Sequence, residues 1–476
     1  VEVKFDDGAT EQYEDTHFAS GGQGKLYRSL DGTHTVKLYK PDSKKEKMRF
    51  ARIRTLIDDF NPAKDDAYWA NYFAWPQKLV VAPHAGFRMS YISMKTLDKH
   101  LPFYYSDIYG DLKSEERGWF IGRIATAIKL ACAANRLASL GLCYSDFSEK
   151  NIMVDPFEGK MTLIDCDSLF VPDRLPPEIV GTGNYRAPEL YSGLVKNPSL
   201  ETDRHAFAVV LYLWLVGYHP LEGDKVYSTE IFDDGEEDQQ DKLRYGSEAL
   251  YIEHPKDASN RLSGQKVTAH TLGDELEKLF QRAFVKGLHN PKERPRPFEW
   301  QRVLINTYDR IIPCPSLYCD WRMFVVPTNM RRLTCPYCLQ PVKYPRTLPI
   351  VSLLQHSGKH DLEEYDGKPF HYVLGWPDRQ LHEWHVKSHH SPIPNKSMPN
   401  PDMTPMAYFE YDGDKRRWYL HNSHLSDMHF RFVGEPSDVW RPWPQYTSIA
   451  LETGMLIQFG DAPIYTRARI KLEEID

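Results

Sequence analysis

The chain has 476 residues, 41% of them hydrophobic, which is long for one domain and enough for real cores. Its net charge of −7 and pI near 6.3 give no reason to expect a nucleic-acid partner. The most apolar windows, 121–142 and 206–216, are broken by polar residues or too short for a bilayer, and no apolar leader opens the sequence, so neither membrane insertion nor secretion is expected.

In chain order, Val1 to Phe5 alternates weakly and reads as an edge strand. The stretch YEDTHFASGGQGKLYR places Gly21, Gly22 and Gly24 between two strands. Such a loop either brings backbone N–H groups close to phosphate or is a plain glycine hairpin. The strand TVKLY carries one charge, Lys37, 13 residues beyond Gly24. Either Lys37 faces solvent or the hairpin brings its ammonium beneath the glycines. Residues 43–59 read as a basic amphipathic helix, with Met48, Ile53, Leu56 and Ile57 as its apolar stripe and its charges solvated. GFRMSYI is a strand in which Met89 either lines a pocket or packs the core. Residues 119–140 are a strong helix, with Ile121, Ile124, Ile128, Leu137 and Leu140 on one broad face.

That helix leads into GLCYSDFSEKNIMVDPFEGKMTLIDCD. Two short apolar strands, 152–154 and 161–164, flank a turn. Asp146, Asn151 and Asp165 offer two carboxylates and an amide oxygen, donors suited to a hard divalent cation. Alone, the triplet is also ordinary turn chemistry. GTGNYRAPEL follows, then an apolar helix over 203–217, a polar excursion over 224–264, and a Pro-punctuated helix entry containing Arg294.

From about residue 12 to 308, the order and spacing of these motifs resemble a protein kinase. The resemblance implies a two-lobed domain using ATP and Mg²⁺ or Mn²⁺. It aligns Ala19, Gly21 and Gly24 with the phosphate-loop glycines, and Gly22 lies within that loop. Lys37 becomes the phosphate lysine, Asp146 the catalytic aspartate, and Asn151 and Asp165 the metal ligands. Met89 falls on the adenine-side strand, Asp203 is the structural aspartate, and Arg294 pairs with Glu189 of the Ala-Pro-Glu triplet. Several positions depart from the family pattern. Tyr144-Ser145 replaces the usual His-Arg, Ser148 replaces a lysine, and Asp167 replaces the glycine of the metal triplet. Asp167 is a candidate further metal ligand, and Glu46 the best candidate for the helix glutamate that pairs with Lys37.

GFRMSY, GLCYSDFSEKN, LIDCDSLF and GTGNYRAPEL together resemble a bacterial subgroup of eukaryotic-like kinases found beside PP2C-type phosphatases and von Willebrand A proteins, in triads associated with tellurium resistance. That resemblance implies transfer to Ser or Thr of a protein substrate or of the chain itself, with the von Willebrand A protein and the phosphatase as candidate partners. A pseudokinase-like nucleotide-binding scaffold is the alternative.

Cys314, Cys319, Cys335 and Cys338 form CPSLYC, fifteen intervening residues, and CPYC. Two cysteine pairs at this spacing predict a structural Zn²⁺ ribbon over 309–345, with Arg331 and Arg332 beside it. Cys132, Cys143 and Cys166 are isolated and read as free core thiols. With no disulfide framework, the chain is expected in the cytoplasm. A linker is expected over 346–364. Seven short runs, HYVLGW, MAYFEY, RRWYLHN, HFRFVG, TSIAL, MLIQFG and YTRARIKL, then predict a β-sandwich over 365–476. Its ending resembles a forkhead-associated domain, but Gly375-Trp376 stands where that family has Gly-Arg, so phosphothreonine capture lacks its arginine. His385, His389 and His390 have no compact set of further ligands. The fold class expected overall is α+β: a two-lobed kinase-like domain, a zinc ribbon and a C-terminal β-sandwich.

Overall fold

The computed structural model describes residues 1–42, 44–101, 120–171, 174–177, 181–228, 237–265, 267–319, 321–327, 333–343, 345–356, 369, 371–386, 405–436, 439–460 and 465–475. The chain divides into two compact units, one built mainly from residues before 301 and one mainly from 301 to the end.

The first unit opens with a seven-stranded sheet. Its strands are β1 (Glu2–Phe5), β2 (Thr10–Gln12), β3 (Ala19–Ser20), β4 (Gly24–Arg28), β5 (His34–Tyr39), β6 (Lys78–Ala82) and β7 (Gly86–Ser90), in the spatial order β2-β1-β6-β7-β5-β4-β3. The expectation for 1–5 is corrected here: β1 lies inside the sheet between β2 and β6, and β2 is the edge. Its alternation buries Val3 and Phe5, which pack with Tyr13, Val36, Leu38 and Val80. β5 therefore turns Val36 and Leu38 to that cluster and Lys37 and Tyr39 to the opposite face, as the two-residue period requires. Its neighbours come very close. A Cβ at Gly24 would lie 2.5 Å from the Leu38 carbonyl oxygen, and one at Gly86 would lie 2.3 Å from that of Lys37.

Helix α1 (Glu46–Asp58) corrects another expectation. Its buried residues are Arg49, Arg52, Ile53 and Leu56, whereas Met48 is exposed. The basic residues are thus not all a solvated face. Arg52 donates to the carbonyls of Leu169 and Pro176, and Arg49 donates to that of Lys40 while lying 4.5 Å from the Tyr39 ring centroid. Arginine can be buried here because carbonyls and an aromatic face receive its guanidinium.

Helix α2 (Phe120–Ser139) leads to Gly141 and the antiparallel pair β9 (Ile152–Asp155) and β10 (Lys160–Leu163); β8 (Lys95–Thr96) completes that small sheet. Helix α3 (Leu200–Val216) starts on a capping box between Ser199 and Thr202 and stops at Gly217, whose φ is +92°. It is buried almost all round, as its nearly unbroken apolar sequence requires. Met89, on β7, is a buried core residue.

Arg294 locks the segment after Asp167 to the helical part of this unit. All five of its N–H donors are used: Nε to Gly287, one terminal nitrogen to Glu189 and Glu201, the other to Glu189 and Leu288. The two bonds to the Glu189 carboxylate are both 2.7 Å long and the pair is buried. Removing one partner strands the other charge, so Arg294→Met is expected to cost about 3–5 kcal/mol. A urea titration followed by tryptophan fluorescence measures this, and an unchanged midpoint would show that the pair contributes nothing.

The second unit contains the hairpin of β11 (Ile311–Pro313) and β12 (Met323–Val325). A six-stranded sheet follows, containing β13 (Thr347–His356), β14 (His371–Leu374), β18 (Met428–Arg431), β19 (Arg441–Pro442), β21 (Leu456–Phe459) and β22 (Tyr465–Glu474). A four-stranded sheet holds β15 (Gln380–His382), β16 (Pro405–Asp412), β17 (Arg417–Asn422) and β20 (Ser448–Ala450). The seven expected runs all contain strands. The linker expected over 346–364 does not stand, because β13 occupies most of its first half and pairs with β22 from Thr347↔Glu474 to His356↔Tyr465. Pro345 and Pro349 masked the strand in the sequence. Side chains of both sheets, including Val351, Phe409, Trp418, Ile457 and Ile470, share one core with Cys314, Cys319 and Cys335.

A candidate nucleotide site and a four-cysteine cluster

Lys37 is 5% exposed and three side chains converge on its ammonium. Asp165 Oδ1 lies 2.5 Å away, the two oxygens of Asp167 at 2.8 and 2.9 Å, and Gln23 Oε1 at 3.3 Å. Gln23 belongs to the glycine loop, so the hairpin does bring that loop to Lys37. The loop itself is closed by the Gly21 N–H donating to the Gly24 carbonyl at 3.0 Å. A Cβ at Gly21 or Gly22 would meet nothing within 4 Å, which leaves room beside this backbone. Ala19 pairs with Leu26 where β3 meets β4.

Asp165 and Asp167 lie on one tight turn. Asp165 sits in the left-handed region, with φ 59°, and heads a single 3₁₀ turn from Cys166 to Ser168. The turn gives the two carboxylates different surroundings. The side chain of Asp165 is 37% exposed and that of Asp167 only 1%. Burial works against ionisation of both Lys37 and Asp167, but their mutual attraction wins: Lys37 is held above its ordinary range and Asp167 below. Asp167 also accepts from the Tyr39 hydroxyl at 2.5 Å. Asp167, the candidate further metal ligand, thus has both oxygens engaged by the side chains of Lys37 and Tyr39.

The Asp146 loop is tied to the same turn. The Asn151 amide donates to the Asp146 carboxylate at 2.7 Å and to its carbonyl at 3.0 Å. The Ile164 N–H donates to the Asn151 carbonyl at 3.0 Å, and the buried Tyr144 hydroxyl donates to the carbonyls of Asn151 and Ile164. Tyr144 thus joins the loop to the strand that ends at Asp165. From the first turn of α3, Asp203 accepts from the N–H groups of Tyr144 and Ser145 at 2.6 and 2.9 Å. Burial pushes its carboxyl up to about 7, although those two donors pull it down. They hold Ser145 in a left-handed conformation, φ 70°, that a non-glycine residue rarely adopts unaided.

The sequence reading missed two contacts. Thr182 donates its hydroxyl to Asp146 Oδ1 at 2.6 Å, and Tyr39 holds Asp167. Tyr39 was findable, since it lies two residues from Lys37 on the same strand face. Thr182, 36 residues from Asp146, had no local signal. Glu46 opens α1, and the carboxylates on Lys37 come from Asp165 and Asp167 instead.

No family model matches the chain. Over 101 residues it is 32% identical to the protein kinase C delta type of Mus musculus, a span covering 21% of this chain and 14% of that protein. Over 100 residues it is 33% identical to the dual serine/threonine and tyrosine protein kinase of Strongylocentrotus purpuratus, covering 21% and 10%. It is 30% identical over 125 residues to the cGMP-dependent protein kinase of Toxoplasma gondii, covering 26% and 12%. Over these spans the chain is similar to protein kinases. It spans only a small part of the length of these relatives. A solved structure, the ROP18 kinase domain in complex with AMP-PNP and sucrose, is similar at a TM-score of 0.42 and 14% identity, covering 64% of this chain and 84% of that one.

In the second unit, the four clustered cysteines come together. Cys314 and Cys338 have their sulfurs 3.4 Å apart, Cys319 and Cys335 3.9 Å, and all four lie within 4.8 Å of one another. No pair is a disulfide. Four thiolates about 2.3 Å from one ion would stand roughly 3.8 Å apart, so the set fits a tetrahedral metal cage. Backbone turns present the sulfurs: the Leu339 N–H donates to the Cys335 carbonyl, and the Cys335 N–H to that of Gln340. Trp321 stacks on Tyr337 with ring centroids 4.6 Å apart, and both pack on the core that holds three of the cysteines. Arg331 and Arg332 lie outside the described residues, as do His389 and His390.

His385 joins a second buried group in this unit. Asp309 Oδ2 lies 2.7 Å from His371 Nε2 and 3.0 Å from His385 Nε2. Three such groups can ligate a metal, but the proton inventory opposes it. The His382 N–H donates to His385 Nδ1 at 2.7 Å, so the ring proton of neutral His385 is on Nε2, where it faces Asp309. Burial holds His385 down to about 4, although Asp309 pulls it up. Asp309 is itself held below its ordinary range, since its two histidines outweigh the effect of burial. Both shifts have the same sign for stability. Between pH 6.5 and 4 the unfolded chain binds the proton that folded His385 refuses, so stability falls as pH falls, by on the order of 3 kcal/mol, and Asp309 adds to the loss below that window. Denaturant midpoints at pH 7 and pH 4.5 measure it, and His385→Gln is expected to flatten the dependence. A parent whose midpoint ignores pH would refute this account.

The metal and nucleotide groups aside, no helix among the described residues is long and apolar enough to cross a membrane.

Proposed function

We propose that the chain is a protein kinase, transferring the terminal phosphoryl group of ATP to serine or threonine hydroxyls of a partner protein or of itself. The observation that carries this reading is the linked arrangement of Lys37, Asp165, Asn151 and Asp146 beside the glycine loop. ATP would supply the phosphoryl group, and Mg²⁺ or Mn²⁺ would neutralise its oxygens. Lys37 and the backbone of Gly21, Gly22 and Gly24 hold phosphate oxygens. Asp165 and Asn151 are the oxygen donors for the cation. Asp146 orients the acceptor hydroxyl and takes its proton. Its Oδ1 already accepts from the Thr182 hydroxyl at 2.6 Å, the kind of contact an acceptor serine or threonine would make.

We further propose that the four cysteines hold one structural Zn²⁺ in a ribbon over 309–345. The C-terminal module, proposed for 365–476, is a forkhead-associated-like β-sandwich that also takes in β13. The six- and four-stranded sheets with one shared core support that reading. Its use is protein docking, since Trp376 occupies the position of the phosphothreonine-binding arginine. The resemblance to triad kinases makes a von Willebrand A protein and a PP2C-type phosphatase the partners to try first, in tellurium resistance. Purified chain, ATP with Mg²⁺ or Mn²⁺, and these two proteins as acceptors make the test. Asp165→Ala is expected to abolish transfer. No phosphate on any acceptor would favour a nucleotide-binding scaffold instead.

A further inference from the structure

Among the described residues, the lysine of this site is held by two aspartates and a glutamine, with no glutamate from a helix. Glu46 is the first residue of α1, and the residues that α1 buries include two arginines but no carboxylate. One of these, Arg49, stacks on Tyr39, the neighbour of Lys37 on the same strand face. The helix thus presents positive charge where a lysine partner would need negative charge. The negative charge comes from the turn after β10. Asp167 contacts Lys37 with both oxygens, accepts from Tyr39, and is sealed from solvent, while the side chain of Asp165 is 37% exposed.

We propose that Asp167 is the positioning residue for Lys37, replacing the helix glutamate, so that Asp165 is left for the cation and the lysine's placement does not depend on movement of α1. Asp167 and Tyr39 make this a clamp on two side chains of β5: the carboxylate cannot shift without giving up both. Control by swinging a glutamate-bearing helix in and out has no purchase on such a site. Rearrangement of the 165–168 turn would instead move the lysine partner and the cation ligand together. This inference rests on the kinase reading for its meaning, though not for its contacts.

The test is the pH profile of Lys37 acetylation by acetic anhydride, read by mass spectrometry on the full chain, alongside kcat and KM for ATP. Asp167→Asn keeps the side-chain volume and removes the charge. It is expected to make Lys37 reactive at lower pH than in the parent and to reduce kcat/KM for ATP on the order of tenfold or more. Glu46→Gln is expected to leave both the profile and the kinetics as in the parent. Tyr39→Phe, which removes one hydrogen bond to Asp167, is expected to move the profile the same way by a smaller step, and it carries the test if Asp167→Asn does not fold. A Lys37 profile unchanged in Asp167→Asn, or one moved by Glu46→Gln, overturns the proposal. So does an Asp167→Asn defect that appears only as a higher Mg²⁺ concentration needed for activity, which would make Asp167 a metal ligand. Should the parent transfer no phosphate while the labelling pattern holds, the kinase reading fails and the anchor stands.

Discussion

Asp146→Asn is expected to lower the rate of phosphate transfer by about 10²–10⁴-fold while leaving nucleotide affinity unchanged. The substitution keeps the shape of the side chain but removes the negative charge and one of the two oxygens, and with them the basicity that receives the hydroxyl proton. An amide nitrogen facing Asn151 would set donor against donor, whereas one facing Thr182 needs only a turn of the Thr182 hydroxyl, which can accept. The loop should nevertheless stay in place. Its position is set by Asp203 on the N–H groups of Tyr144 and Ser145 and by the Tyr144 hydroxyl, none of which involves the Asp146 carboxylate. Affinity measured with a fluorescent ATP analogue separates the two effects. Transfer by Asp146→Asn at the parent rate would remove Asp146 from the mechanism. A matching loss of affinity would mean that the substitution had damaged the site as a whole.

Loss of the four-cysteine cage is expected to have the largest effect on stability. Elemental analysis should find about one zinc per chain, and Cys335→Ser should abolish it. A structural zinc contributes roughly 10–16 kcal/mol in small zinc-binding peptides, far more than a short ribbon can gain from apolar burial. The damage should not stop at residue 345. Cys314, Cys319 and Cys335 are buried in the same core as Leu348, Val351, Phe409 and Trp418, so losing the metal exposes thiols within that core. Limited proteolysis should then cut within 346–476 as well as within the ribbon. Metal-free protein that melts and digests like the parent would refute the cage, and iron in place of zinc would correct the metal.

The motifs were legible because each is local. Asp146, Asn151 and Asp165 lie in one short stretch bounded by recognisable strands, and the Cys-x-x-Cys knuckle announces itself. The strands of the C-terminal part were legible wherever aromatic and β-branched residues clustered. β13 was not, since Pro345 just before it and Pro349 within it read as linker punctuation. Pro349 has no N–H to donate, but its carbonyl accepts from Gly375 at 2.6 Å. Helix α1, expected over 43–59 and found from Glu46 to Asp58, was read with an incomplete inner face. Hydrophobic periodicity finds leucines and isoleucines, but Arg49 and Arg52 are buried by carbonyl groups and a tyrosine ring that come from elsewhere in the chain.

By itself, the sequence determined which residues can do chemistry and roughly which elements carry them, because propensity, spacing and side-chain type act over a few residues. Only the tertiary structure decided how charges are shared between distant segments. Lys37 and Asp167 are separated by 130 positions, Arg294 and Glu189 by 105, and Asp309 and His385 by 76. Each pair is buried, and burial makes an unpaired charge costly enough that the fold must supply its partner. A sequence can show that Asp167 is an aspartate where a glycine is usual. Whether that carboxylate meets a cation, water or a lysine depends on which strand the fold lays against its turn.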